Sequence, residues 1–209
     1  MKITKMLRKR GHIYEVRFDD GTYINLDIDL AHLKNICEGM LISDAQAFDL
    51  EDESEFIRCK NRALYILGQR DISEKKLREK LLKAGFEERF IKDTIKRMKE
   101  LCYLDDKSYG EKLRNSCYEN GLSARAAVSK LIFSGIDVTS AKELCFYDSS
   151  VEQEKIIKVI NKSYKNKLDT PENVEKTVSA LARKGFLFSD IRAVLKDYDR
   201  RLNGEYTDE

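Results

Sequence analysis

LLKAGF, residues 81–86, reads as the end of a helix: two leucines and a lysine run into Gly85, and Phe86 follows at once. Helices often close with glycine in the left-handed region, where a side chain clashes, and an apolar residue just after it packs back. LIFSGI (131–136) and LARKGF (181–186) repeat the pattern, so Gly85, Gly135 and Gly185 stand 50 residues apart. A fixed interval of that size marks repeated supersecondary units. Aligned on the glycines, Leu81, Leu131 and Leu181 coincide, as do Phe86, Ile136 and Phe186, then Ile91, Ala141 and Ile191. Ile95, Cys145 and Leu195 complete the register.

Each glycine lies between two helices. The first of each pair starts at a capping residue: Ser73 with Lys76 at the third position, Ser123, and Thr170 followed by Pro171. Longer helical segments precede the pairs, over 54–69, 106–120 and 150–166. The reading is three tandem three-helix repeats, 54–103, 104–147 and 148–203, followed by a tail over 204–209. The turns rest on Gly85 and Phe86, Gly135 and Ile136, and Gly185 and Phe186. Neighbouring repeats that share apolar faces stack into an elongated curved array, which suits an extended partner better than an enclosed substrate.

The first 50 residues differ. HIYEVRF (12–18) and TYINLDI (22–28) alternate apolar and polar residues around Asp20-Gly21, a hairpin signal. ITKMLRK (2–8) supplies a third strand. A short helix over 29–38 capped by Asp29, and another over 43–55, complete a small β-rich module over 1–50. EDESE (51–55) places acidic groups at the start of the first long helix. The fold class is therefore mainly α, with a small β-rich N-terminal module.

Composition agrees. The chain has 209 residues, one proline, no tryptophan and 36% charged residues. No apolar run approaches the ~20 residues that span a bilayer. MKITKMLRKRGH lacks the pattern of a secretory signal, so a cytosolic protein is expected, with no membrane contact and a monomeric state. Cys37, Cys59, Cys102, Cys117 and Cys145 form no C-x-x-C pair and read as small buried or half-buried hydrophobes. His12 and His32 lack metal-site spacing.

Charge is uneven. Residues 1–56 carry a net −5, residues 57–103 a net +7, residues 104–147 balance, and residues 148–203 carry +3. Lys75, Lys76, Arg78, Lys80 and Lys83 surround a leucine stripe, and Arg89, Lys92, Lys96, Arg97 and Lys99 follow on the next helix. Such groups bind phosphates without sequence information. Interleaved glutamates offer them ion pairs instead. Asp105-Asp106 is the only tight acidic pair preceding a helix near a turn with aromatic residues; capping and dipole compensation explain it without chemistry. No phosphate-binding loop, dinucleotide fingerprint, nucleophile elbow or zinc-protease motif is present. Nothing in the sequence points to an enzyme, a cofactor or a metal.

ALYILGQRDISEKKLREKLLKAGF (63–86) followed by LCYLDDKSYGEKLRNS (101–116) resembles the RecX family of recombination regulators. Arg70, Ser73, Leu77, Leu81, Gly85 and Phe86 match its first signature, and Tyr103, Asp105, Asp106 and Tyr109 match its second, with Gly110 in place of the usual alanine. Gly121, Arg125, Leu131, Gly135 and Ile136 match the second repeat, with Ser134 where lysine is usual. Arg183, Lys184, Gly185 and Phe186 match the third. The resemblance covers about residues 56–200, and the strand-rich N-terminus resembles the extension of longer members. It implies a non-enzymatic protein that binds the RecA recombinase filament on single-stranded DNA. Such a protein inhibits ATP hydrolysis, strand exchange and co-protease activity, and makes DNA contacts of its own, to single or double strands. Candidate contacts are Arg70, Lys76 and Arg78 in the first repeat, Arg114, Arg125 and Lys130 in the second, and Arg183 and Lys184 in the third. Two other classes stand beside it: a helix-turn-helix-like DNA-binding regulator, and a helical scaffold. Against the regulator, DVTSAKELCFY (137–147) holds almost no cations where a recognition helix needs them.

Overall fold

Three short strands open the chain: β1 (Ile3–Lys9), β2 (Ile13–Phe18) and β3 (Tyr23–Asp27), paired antiparallel in chain order. The computed structural model describes residues 1–164, 168 and 170–202, with side chains through 196. Gly21 turns the β2–β3 hairpin at φ +85°, and Val16 pairs with Ile24 and Tyr14 with Leu26. Alternation puts Val16, Phe18, Ile24 and Leu26 on one buried face. β3 runs straight into α1 (Ile28–Leu33). The cap is therefore Asp27, not Asp29: its carboxylate accepts from the Asp29 and Leu30 amides at 3.0 and 3.3 Å.

One further boundary differs from expectation. The helices anticipated at 43–55 and 54–69 are a single helix, α2 (Asp44–Gln69). It starts at a reciprocal capping box: Gln46 N donates to Ser43 Oγ at 3.1 Å and Ser43 N donates to Gln46 Oε1 at 2.8 Å. EDESE thus lies inside the helix. Ala47 and Leu50 pack with the sheet, whereas Cys59, Ala63 and Ile66 belong to the next core. Between them Ser54, fully buried, accepts from Asp27 N at 2.8 Å and donates to Asn25 O at 3.1 Å. One helix thus serves both the strand module and the helices that follow.

Those helices are α3 (Glu74–Lys83) and α4 (Glu88–Glu100), which close the first of two units, Met1–Asp105. The second unit, Asp106–Glu209, contains α5 (Asp106–Glu119), α6 (Ala124–Phe133), α7 (Val138–Leu144), α8 (Ser149–Ser163), α9 (Pro171–Arg183) and α10 (Phe188–Leu202). Ser73, Ser123 and Thr170 cap α3, α6 and α9 as expected. The anticipated end of α8 at 166 and the tail over 204–209 lie outside the described residues.

The glycine turns are built alike. Gly85, Gly135 and Gly185 have φ of +91°, +98° and +91°. Each glycine amide donates three residues back, to Leu82, Ile132 and Ala182. Each following amide donates five back: Phe86 to Leu81 O at 3.3 Å, Ile136 to Leu131 O at 3.1 Å, Phe186 to Leu181 O at 3.3 Å. This is the Schellman pattern, which satisfies carbonyls a helix end leaves open. Leu81, Leu131 and Leu181 are fully buried, so the turn is pinned to the core it closes.

In the second unit α6 begins against α8 and the α9–α10 turn. Ser123 N donates to Lys184 O at 3.1 Å. The buried Glu152 carboxylate accepts from Ala124 N at 3.1 and 3.2 Å and is neutralised by Lys155 at 2.7 Å. A β-carbon on Gly185 would lie 2.5 Å from Ser123 Oγ and 2.7 Å from Ala126 Cβ, so this glycine also permits the close approach. At Gly110, the departure from the family's alanine, a β-carbon would meet Leu144 Cδ1 at 2.7 Å; Leu144 fills the space. Asp190, buried, accepts from Tyr147 OH at 2.9 Å and Ser149 Oγ at 2.7 Å, fixing the α7–α8 connection. Three cysteines are buried as expected, but Cys37 and Cys102 are exposed, because each sits in a loop or helix-end turn. No helix among the described residues is long and apolar enough to cross a membrane.

Candidate functional site

The expected cations do not behave as one set. On α3 and α4 the basic excess is largely spent within the unit. Lys76 pairs with Glu79 at 3.0 Å, Arg78 with Glu88, Arg97 with Glu100 at 3.0 Å, and Lys99 with Glu74. The Lys76 hydrogen bond holds the Glu79 carboxyl below its usual range. Arg89 forks onto Asp52 of α2, with both bonds at 2.8 Å, and also reaches Glu87 at 3.0 Å. Exposed pairs of this kind add little stability, but they lower the field that a phosphate would meet.

In the second unit two candidates already have partners within the fold. Arg114 is half-buried; it donates to Leu144 O at 3.4 Å and to Asn115 Oδ1 at 3.1 and 3.0 Å, tying α5 to the end of α7. Lys184 donates to Asn120 O at 3.0 Å, joining the α9–α10 turn to the end of α5. Arg70, Arg125, Lys130 and Arg183 are exposed, and their side chains make no hydrogen bond or ion pair among the described residues. Arg70 ends α2, Arg125 and Lys130 lie on α6, and Arg183 ends α9.

Apolar side chains stand beside these cations in the second unit. Arg125 shares the lining of a cavity of about 490 Å³ with Lys142, Cys145, Phe146 and Tyr147. Phe146 is 79% exposed. Val138 and Phe188, the first residues of α7 and α10, stand at equivalent places after their glycine turns and are both exposed. Exposed apolar groups next to unpaired cations favour a macromolecular partner.

Three lysines outside the expected set, Lys155, Lys158 and Lys162, lie along α8. Their signal was present in KIIKVINK, where intervals of three and four residues place all three on one helical face. Asp106 is the first residue of α5, where its charge suits the helix N-terminus. Among the described residues, one grouping of possible metal ligands exists, His12, Asp27 and Asp29. Its members are engaged otherwise: Asp27 caps α1 and His12 Nε2 lies 3.2 Å from Asp29.

The match to known proteins begins at the first helical set. Residues 59–98, from the second half of α2 through most of α4, match the family model described as RecX, first three-helix domain. Beyond that segment, the regulatory protein RecX of Streptococcus pneumoniae strain 70585 is 28% identical over 211 residues, covering the whole of this chain and 81% of that protein. The chain is thus similar to regulatory RecX proteins along its whole length. Its counterpart in strain Hungary19A-6 matches at the same identity and coverage. A crystal structure of regulatory protein RecX superposes with a TM-score of 0.64 at 18% identity, covering 93% of this chain and 98% of that one. RecX from Lactobacillus salivarius superposes with a TM-score of 0.60 at 22% identity, covering 69% and 97%. These two likenesses establish the fold, mainly helical with a small antiparallel sheet at the N-terminus. The Gly85 turn and Arg70, Lys76 and Arg78 all lie inside the segment that matches the RecX first three-helix domain.

Proposed function

We propose that this protein regulates the RecA recombinase by binding the RecA filament on single-stranded DNA and inhibiting its ATP hydrolysis, strand exchange and co-protease activity. The observation that carries the reading is the match to regulatory RecX proteins along the entire chain. In this reading the three repeats, 54–103, 104–147 and 148–203, act together as a monomer in the cytoplasm. The contact groups are the exposed, unpaired cations Arg70, Arg125, Lys130 and Arg183, assisted by Phe146, Val138 and Phe188. Lys76, Arg78, Arg114 and Lys184 are left out of this contact set, because each already has a partner.

Co-sedimentation with RecA filaments on single-stranded DNA tests the division. Arg125→Gln, Lys130→Gln and Arg183→Gln combined should weaken filament binding about tenfold or more, with an unchanged unfolding midpoint. Arg114→Gln should lower stability while leaving the affinity of the folded fraction intact. Full filament binding by the triple variant would remove these cations from the contact surface.

A further inference from the structure

Lys155, Lys158 and Lys162 share one face of α8, and that face walls a cavity of about 470 Å³. The opposite wall is the end of α5, from Tyr118 to Gly121, and Lys184 enters from the α9–α10 turn. Among the described residues, four ammonium groups therefore meet around one space, and the one carboxylate on its lining is Glu119. The fold accounts for two of them. Lys155 neutralises buried Glu152 and lies 3.5 Å from the centre of the Tyr118 ring. Lys184 donates to Asn120 O, a neutral acceptor that leaves its charge uncompensated. Lys158 and Lys162 are exposed and make no hydrogen bond or ion pair among the described residues. Glu119 pairs with none of the four. Gathering like charges around a concavity costs self-repulsion, and packing does not require Lys158 or Lys162 there.

We propose that this cavity is a phosphate site, which holds a run of linked phosphates rather than a single one. Its volume lies in the range of small-ligand pockets. Lysine ammonium groups bind phosphate oxygens as point charges, and Lys155 and Lys162 stand about 10 Å apart along the α8 axis. The site lies on α8 and the end of α5, and none of Arg125, Lys130 and Arg183 lines it. The chemistry recognised is the same for a free polyphosphate chain and for a nucleic-acid backbone. Tyr118, Asn120 and Ser163 on the lining supply neutral groups beside the charges.

The test is calorimetric titration of the full-length protein at low salt, with tripolyphosphate in one arm and a short oligothymidylate in the other. No recombinase is present, so failure here leaves the RecA reading untouched. Wild-type protein should bind at least one probe, and which one it binds identifies the source of the phosphates. Lys158→Gln with Lys162→Gln should weaken that binding about tenfold or more, and Lys5→Gln, on β1, should not. With the oligonucleotide, the double substitution should also reduce the steepness of the log affinity against log salt plot by about 1.4, or ~0.7 per lysine. Absence of binding by both probes would overturn the proposal, as would equal binding by the double variant. Lysine-dependent binding of polyglutamate with the same affinity would overturn it too, because the site would then read charge alone.

Discussion

Gly85 and Gly185 share a backbone conformation but not a set of neighbours. A β-carbon at Gly85 meets nothing within 4 Å, whereas one at Gly185 meets Ser123 and Ala126. Gly85→Ala should therefore cost only the left-handed backbone, about 1–2 kcal/mol. Gly185→Ala should add the crowding of α6, a further ~1–3 kcal/mol. Urea unfolding of the two variants checks the order, and equal losses would mean that the α6 contact is slack. Tyr118 and Tyr147 carry a pH dependence. Burial pushes the Tyr118 phenol well above its usual range, and so do nearby Cys145 and Glu152. Its hydrogen bond to Asp190 raises Tyr147. A raised folded-state value means that the fold holds the proton more tightly than the unfolded chain does. The stability involved is fully present below about pH 10 and is lost as pH rises beyond it. Unfolding midpoints at pH 9 and pH 11 should show that loss, and Tyr118→Phe, which keeps a ring beneath Lys155, should reduce it. An identical drop in both proteins would contradict the assignment. These glycines, their apolar followers and the three caps were legible in sequence because each is a local device, decided within five residues. The roles of Arg114 and Lys184 were not, because Leu144 and Asn120 reach them from 30 and 64 residues away.

Among the elements, α2 shows how a local signal misleads. EDESE resembles a helix start, yet Ser43 and Gln46 open the helix earlier, and the acidic run continues it. The helix is long because two cores use it, one at Ala47 and Leu50 and the other at Cys59, Ala63 and Ile66. Nothing in the sequence of α2 alone announces that sharing; it depends on Ser54 meeting the β3 backbone. α6 is a second case, since a glutamate 28 residues downstream supports its N-terminus. Glu152→Ala removes that acceptor and leaves Lys155 beside a buried void, so it should cost about 3 kcal/mol or more. Glu152→Gln keeps an oxygen for Ala124 N and should cost less. Chemical denaturation followed by circular dichroism measures both, and a Glu152→Ala loss below 1 kcal/mol would show that α6 does not depend on this support.

For the whole molecule, similarity to regulatory RecX proteins and a mainly helical fold with a small sheet turn the functional question toward a partner. Cations on α3 and α4 are largely paired within the first unit, while cations and apolar groups at the turns of the second unit are exposed. The expected contact residues were legible as types and positions. Which of them are free was not, because pairing is decided by neighbours distant in sequence. The direct test is ATP hydrolysis by the same organism's RecA on single-stranded DNA, with this protein titrated in. Inhibition at less than one molecule per RecA is the predicted result, since one bound regulator then silences several filament subunits. Unchanged hydrolysis at a molar excess and low salt would contradict the account.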